Sequence, residues 1–168
     1  MNANLYTFVG MYGRGLATLG HILAKGGEFA QANGVAEADM LDWRLAEDMF
    51  PLRRQAQVVI DFSRQWTARA VDAIVPPALL GEPDLQELQA AIGTAKAELA
   101  ALAPAQLEGR DEVQLTVDIG QMAPTFAIAQ WIPGFATPNF YFHLSMAYAI
   151  LRSKGVPLGK RDFFAGGL

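Results

Sequence analysis

Apolar residues recur at three- to four-residue spacing in four long stretches of the chain, a spacing typical of amphipathic α-helices. The pattern predicts helices over residues 5–25, 50–74, 84–102 and 138–154. Gly26-Gly27 is one possible end of the first helix, and Asn33-Gly34 is the alternative. Each predicted helix has one apolar face, so the pattern predicts an all-α four-helix bundle.

Local signals mark the helix boundaries. Pro76-Pro77 closes the second predicted helix, because proline cannot continue one. Asp84 and Glu87 have the spacing of a capping box at the start of the third. Gly155, followed by Pro157, ends the fourth. Residues 36–41 are predicted to form a single helical turn in the connection between helices one and two.

One stretch has a different period. Residues 113–119 alternate between apolar and polar side chains, which is the pattern of a half-buried strand. Gly120-Gln121 is a turn signal, and residues 125–128 can return as a second short strand. A two-stranded hairpin is marginal alone, so we expect a small hairpin between helices three and four that packs on the bundle.

His143 is the polar residue of most interest. At 100° per residue it lies at the centre of the apolar face of the last helix, with Asn139 within about 60°. A buried imidazole needs partners for its ring nitrogens. Gln55 lies on the inner face of the second helix, and Asp48 precedes that helix where a carboxylate is favoured. A Gln55–His143 hydrogen bond is one interpretation, and an acid–base or metal site is the other.

Other polar residues are expected at the surface. Gln57, Asp61 and Arg64 are predicted to point away from the bundle. His21 lies on the polar face of the first helix, where a solvated side chain is expected. Asp162 is predicted to be a solvated loop residue, with folding back over the end of the bundle as the alternative. Glycines 10, 13 and 15 weaken the first helix, and they indicate either close helix packing or a kink.

Composition narrows the class of protein. The chain has 168 residues, 52% hydrophobic and 18% charged, which indicates a single globular domain over residues 1–168. It has no apolar run long enough to span a bilayer and no signal-peptide pattern at its start, so we expect no membrane partner. The absence of cysteine is compatible with the cytoplasm. A net charge of −4 argues against nucleic acid as a partner.

Four strings of the sequence resemble one family, DUF1993, a domain of unknown function grouped with the DinB-like four-helix bundles. The strings are Arg44 to Leu52, Gln55 to Gln57, Pro138 to His143 and Gly155 to Phe163. The resemblance spans nearly the whole chain. It implies a DinB-like four-helix bundle, a homodimer and a hairpin-like excursion before helix four, but it implies no reaction.

Many relatives in the wider DinB-like superfamily bind a metal through three histidines, and some are thiol-dependent transferases. One of those histidines comes from helix two, and the other two form a His-x-x-x-His pair in helix four. Here His143 matches one member of the pair, whereas Asn139 and Ala147 stand four residues away on either side. Helix two has no histidine, and Gln55 is its nearest inner candidate. We therefore expect neither the three-His metal site nor a cofactor.

Three functions stay open. The first is a binding or stress-related accessory protein. The second is an enzyme with an interior pocket of Asp48, Gln55, His143 and Tyr12, in which His143 is the acid–base group and a small molecule is the ligand. The third is a degenerate, transferase-like site in which His143, Asn139 and Asp48 hold a divalent metal ion together with water.

Overall fold

The structure is a computed structural model that describes residues 4–167, and four long helices dominate it. These are α1 (Leu5–Ala32), α3 (Leu52–Ala70), α4 (Leu85–Ala100) and α6 (Thr137–Ser153). The shorter elements are α2 (Glu37–Leu41), β1 (Gln114–Thr116), β2 (Thr125–Ala127), α5 (Ile128–Trp131) and α7 (Lys160–Phe163). A 3-10 turn covers Pro104–Leu107, and a π-helical turn, Ile132–Ala136, joins α5 to α6.

The four long helices form a bundle in which α3 packs against α4 and α6, and α1 also packs against α4 and α6. Their inward faces are aliphatic, and fully buried side chains include Leu16, Leu19, Ile60, Leu88 and Leu144. The predicted all-α bundle is confirmed. Among residues 4–167, no helix is both long and apolar enough to cross a bilayer.

Helix α1 runs to the later of its two predicted ends, and some of its glycines lie where other side chains approach. A Cβ on Gly26 would lie 2.7 Å from Leu151, and one on Gly15 would lie 2.3 Å from a ring carbon of Phe140. Gly13 has nothing within 4 Å of that position. Close packing therefore explains Gly15 and Gly26, but it does not explain Gly13.

Helix α3 is shorter than predicted and is followed by a connection without regular structure, residues 71–83, which we call the proline strap. Gln57 and Asp61 were predicted to point away from the bundle, but both are buried. The prediction is wrong because the strap lies over them. Gln57 donates to the carbonyl of Gly81 at 3.1 Å, and Asp61 accepts from the backbone N–H of Leu79 at 2.9 Å.

The predicted hairpin is confirmed, with Leu115 paired to Phe126 in antiparallel register. The residues that follow it were not predicted correctly. The chain becomes helical at Ile128 and passes through the π turn into α6, so Gly134 lies inside helical structure.

The capping box at the start of α4 is also as predicted. The Asp84 carboxylate accepts from the N–H of Glu87 at 2.8 Å, and the Glu87 carboxylate accepts from the N–H of Asp84 at 2.9 Å. These two bonds satisfy N–H groups that the first turn of a helix leaves without partners.

The end of the chain folds back onto α1, which corrects the expectation of a solvated loop. Gly155 has a φ of 91° and reverses the chain after α6. One carboxylate oxygen of Asp162 then lies 2.7 Å from Nε2 of His21 and 3.0 Å from Nζ of Lys25. His21 is therefore not simply solvated, because it helps to hold α7 against α1.

Candidate functional site

His143 lies in the second turn of α6, on the side that faces α3. The buried face of α6 is centred on Phe140, Leu144, Ala147 and Leu151. His143 lies about 60° from that centre by helical spacing and is only half-buried. Its predicted place at the centre of the apolar face is wrong: the ring is at the edge of the core.

Gln55 on α3 holds the His143 ring in one orientation. Nδ1 of His143 lies 2.6 Å from Oε1 of Gln55, and Nε2 of Gln55 donates to the carbonyl of Phe50 at 3.1 Å. Because the amide nitrogen is committed to Phe50, the amide oxygen must accept from the ring. Nδ1 therefore carries a proton, and in the neutral ring Nε2 is left with a lone pair.

Nε2 of His143 is accessible to solvent. Within residues 4–167 it makes no hydrogen bond, and no polar side-chain atom in that part of the chain is both buried and without a partner. The uncommitted nitrogen must therefore be reachable by solvent. An imidazole with one nitrogen anchored and the other accessible can accept a hydrogen bond or remove a proton.

Aromatic rings surround the imidazole. Phe50 stacks on it with ring centroids 6.2 Å apart, Phe62 is tilted at 6.5 Å, and Phe142 meets it edge-on at 5.1 Å. Phe50 and Phe142 are about half exposed, and Phe62 continues the cluster to Phe135 at 6.1 Å. The accessible nitrogen is thus set in an aromatic surface.

Electrostatics keep the ring uncharged. Burial lowers the pKa of His143 below its ordinary value of 6.5, and the positive charge of Arg54 lowers it further. Both effects disfavour the imidazolium form, because burial removes its hydration and Arg54 repels it. At neutral pH, His143 is therefore the neutral Nδ1–H form.

Asn139 presents a second acceptor beside His143. The two residues are four apart on α6 and are therefore neighbours on one face of the helix. Nδ2 of Asn139 donates to the carbonyl of Phe135 at 2.8 Å, whereas its Oδ1 makes no hydrogen bond within the described chain. Each residue donates one N–H group to the protein, and its acceptor atom makes no hydrogen bond within the described chain.

Within residues 4–167, the two other candidate residues make no hydrogen bond to His143 or Gln55. Asp48 is exposed in the turn before α3, which begins at Leu52, and within residues 4–167 its carboxylate makes no hydrogen bond or ion pair. The Tyr12 hydroxyl is buried 3.0 Å from Oγ1 of Thr137, and its ring packs on Phe140. Burial raises the pKa of Tyr12 to about 12. The structure therefore shows a direct contact for one pair of the four candidate residues, His143 and Gln55.

The residues present do not fit the three-His metal centre of DinB-like relatives. The matching donors are one imidazole and two neutral amides, and Oε1 of Gln55 is already occupied by the ring N–H of His143. Ala147, the other possible partner in α6, is fully buried and has no donor. Neutral amides are poor ligands for a transition metal, and a catalytic zinc site takes three protein ligands. In the described part of the chain, no three His, Cys, Asp or Glu residues are grouped to hold a metal.

The sequence pattern did not predict that Phe62 and Phe135 belong to the aromatic cluster beside His143. Phe62 is seven residues after Gln55 and therefore on nearly the same face of α3, so helical spacing could have identified it. Phe135 had no such signal, because its position depends on the π turn that precedes α6.

The structure is a DinB-like four-helix bundle. Three features define it: the order of the helices, the hairpin before the last long helix, and a histidine on α6 that faces α3. The solved structure of a DinB family member protein from Shewanella denitrificans is similar to this chain, with a TM-score of 0.88 and 30% identity over 95% of this chain and 91% of that one. A family profile described as a domain of unknown function (DUF1993) matches residues 5–164. The chain belongs to the DUF1993 family. No curated protein matches it.

Proposed function

We propose that this protein binds a small organic molecule at His143 without a metal ion, as a binding or stress-related accessory protein. The observation that supports this proposal is the hydrogen-bond chain from His143 through Gln55 to the Phe50 carbonyl. It presents an uncharged acceptor at an aromatic surface. A built ligand site commonly combines apolar walls with a few oriented polar groups.

The exposed atoms indicate the chemistry of the ligand. Nε2 of His143 and Oδ1 of Asn139 can both accept hydrogen bonds, while Nδ1 of His143 donates to Gln55 and one N–H of Asn139 donates to Phe135. A matching ligand donates from N–H or O–H groups. The rings of Phe50 and its neighbours favour a planar, apolar body for that ligand.

Direct binding of defined probes tests the proposal. Indole and benzimidazole carry an N–H donor on an aromatic body, whereas naphthalene-2-sulfonate has the aromatic body but no donor. In protein labelled with ¹⁵N-histidine, the donor probes are expected to move the Nε2 signal of His143 and leave His21 unchanged. His143→Phe is expected to abolish binding, with His21→Asn as the matched control. Equal binding of donor and non-donor probes, or binding that survives in His143→Phe, would overturn the proposal.

Metal independence needs its own measurement. Untagged protein incubated with zinc, nickel or manganese and then desalted is expected to retain far less than one equivalent. Retention of one equivalent that is lost in His143→Phe would instead support the degenerate metal site.

A second candidate function is acid–base catalysis by His143. The fixed tautomer and lowered pKa favour it, because the neutral ring can remove a proton through Nε2 while Gln55 positions Nδ1. This candidate predicts that an aryl ester is hydrolysed at a rate that follows the neutral fraction of His143. The activity should be lost in His143→Phe and retained in His21→Asn.

A further inference from the structure

A cavity of about 280 Å³ lies between α1, α6 and the end of the chain. Most of its walls are apolar: Met11 comes from α1, Leu144 from α6, and Phe163 and Phe164 from the chain end. Within residues 4–167, its lining includes neither His143 nor any residue of α3. The cavity is therefore separate from the aromatic surface around His143, and its walls favour an apolar ligand body.

Arg14 gives this cavity its charge. It is the one charged side chain among the described residues that line the cavity, and it is half-buried. Within residues 4–167 its guanidinium makes no hydrogen bond or ion pair, whereas Arg64, for example, is paired with Glu98. A guanidinium can form two parallel hydrogen bonds with a carboxylate. A single positive charge beside apolar walls matches a ligand with a single negative charge.

Tyr141 supplies a hydrogen-bond donor next to that charge. Its hydroxyl lies 3.5 Å from the carbonyl oxygen of Met11, which is a long and weak contact. Burial raises the pKa of Tyr141, and the positive charge of Arg14 opposes that rise. The phenol is therefore protonated at neutral pH and lies near enough to feel the guanidinium. Its O–H can turn to an anion bound at Arg14 with little loss.

The chain end forms a fixed wall of the cavity. The Thr18 hydroxyl donates to the carbonyl of Phe163 at 3.0 Å, in addition to the contacts of Asp162 described above. Gly166 packs directly on the backbone of α1, because a Cβ there would lie 2.0 Å from the carbonyl oxygen of Arg14. Several independent contacts thus position this wall, and a cavity formed before its ligand arrives is typical of small-molecule sites.

We infer that this cavity binds a monocarboxylic acid with a short apolar body. Its carboxylate pairs with Arg14 and accepts a hydrogen bond from Tyr141, and its body lies against Phe163 and Phe164. The charge selects the anion, and the walls select the apolar body. This site is independent of the ligand proposed for His143, because the two sites lie against different helices.

Calorimetry with three probes tests the inference. Octanoate has both the charge and the apolar body, 1-octanol has the body without the charge, and acetate has the charge without the body. Octanoate should bind at one equivalent per chain, and each of the other two should bind at least about 10-fold more weakly. Arg14→Gln should raise the dissociation constant for octanoate by about 10- to 100-fold. Arg152→Gln makes the same change at an exposed position of α6 outside the cavity and should leave binding unchanged.

A second variant and NMR locate the ligand. Tyr141→Phe keeps the ring and removes the donor, so it should raise the dissociation constant by about 2- to 10-fold. Octanoate should move the amide signal of Gly166, and His143→Phe should bind it as tightly as the natural protein does. Absence of saturable octanoate binding, equal binding of 1-octanol or acetate, an unchanged affinity in Arg14→Gln, or loss of binding in His143→Phe would each overturn the inference.

Discussion

Nδ1 of His143 and Oε1 of Gln55 are 2.6 Å apart, which joins α6 to α3 at the edge of the core. Because Gln55 is buried and its amide nitrogen is bound to Phe50, the pair has one consistent assignment of donors and acceptors. This single contact sets the tautomer of the imidazole and leaves its other nitrogen for a ligand.

Gln55→Leu removes the acceptor and leaves the N–H of His143 unpaired in a half-buried position. We expect the free energy of unfolding to fall by about 1–3 kcal/mol, measured by urea denaturation at pH 7.5. Gln55→Glu is the matched variant, because a carboxylate keeps an acceptor and favours the charged ring. Its His143 pKa, followed by NMR, should lie above that of the natural protein. An unchanged pKa in Gln55→Glu would contradict the assigned contact.

The lowered pKa of His143 gives stability a defined pH dependence. The unfolded ring has the ordinary pKa of 6.5, so below that value the unfolded state binds more protons than the folded state. Stability is therefore full above pH 6.5 and falls as pH drops through 6.5 toward the folded pKa. His143→Phe removes this contribution, so the stability of the natural protein relative to that variant should fall as the pH is lowered from 8 to 5. Parallel pH profiles would show that the folded pKa is not lowered.

Gly15 and Gly13 form a matched test of helix packing, because both lie in α1 and only Gly15 faces a neighbour. Alanine at position 15 would place its Cβ 2.3 Å from Phe140, a fully buried ring with little room to move. We expect Gly15→Ala to destabilise the fold by about 1–3 kcal/mol. Gly13→Ala meets nothing within 4 Å and should stabilise it by about 0.5–1 kcal/mol through better helix propensity. Equal effects in thermal unfolding would contradict the packing assigned to Gly15.

Local signals predicted much of the fold. The capping box of Asp84 and Glu87, the alternation that gives the hairpin and the glycine at 155 each act within a few residues. Helical spacing also placed Gln55 and His143 on facing sides of their helices. These features need no knowledge of the rest of the chain.

Features that depend on distant segments were not predictable. By their position on α3, Gln57 and Asp61 are expected at the surface, but the proline strap covers both side chains. The sequence of α3 contains no signal that a later segment will pack over it. The contact between His21 and Asp162 joins residues at opposite ends of the sequence. His143 lies away from the centre of the core because of how α6 is rotated about its own axis. The spacing of apolar residues predicts that rotation only approximately.

The Asp162 contact predicts a local effect at the end of the chain. The side chain of His21, the N–H of Gly159 and the side chain of Lys25 hold the pKa of Asp162 well below its usual range. Stability from this carboxylate is present above its ordinary pKa of 3.8 and is lost as pH falls below it. Asp162→Asn should therefore speed amide hydrogen exchange in residues 157–167 at pH 7.

The matched control for this prediction is Asp111→Asn, since the Asp111 carboxylate makes no hydrogen bond within residues 4–167. It should leave exchange at the end of the chain unchanged. If Asp162→Asn also left it unchanged, α7 would be held by its apolar contacts alone.

Introducing histidines at the two amide positions tests whether ligand identity alone prevents this site from binding a metal ion. Gln55→His with Asn139→His would give three imidazoles on α3 and α6 in the arrangement of the wider superfamily. The double variant is expected to retain about one equivalent of zinc after desalting, because three protein ligands suffice for a stable zinc site. Each single variant should retain much less. Failure of the double variant would show that helix geometry, and not only ligand identity, separates this site from those of its relatives.

The protonation state of the His143 ring is the most direct test of the proposed site. A long-range ¹H–¹⁵N spectrum at pH 7.5 resolves both histidines of the chain, with His143→Phe giving the assignment. We predict a neutral ring with the proton on Nδ1 and a free lone pair on Nε2. A ring protonated on Nε2, or one charged at that pH, would contradict the account.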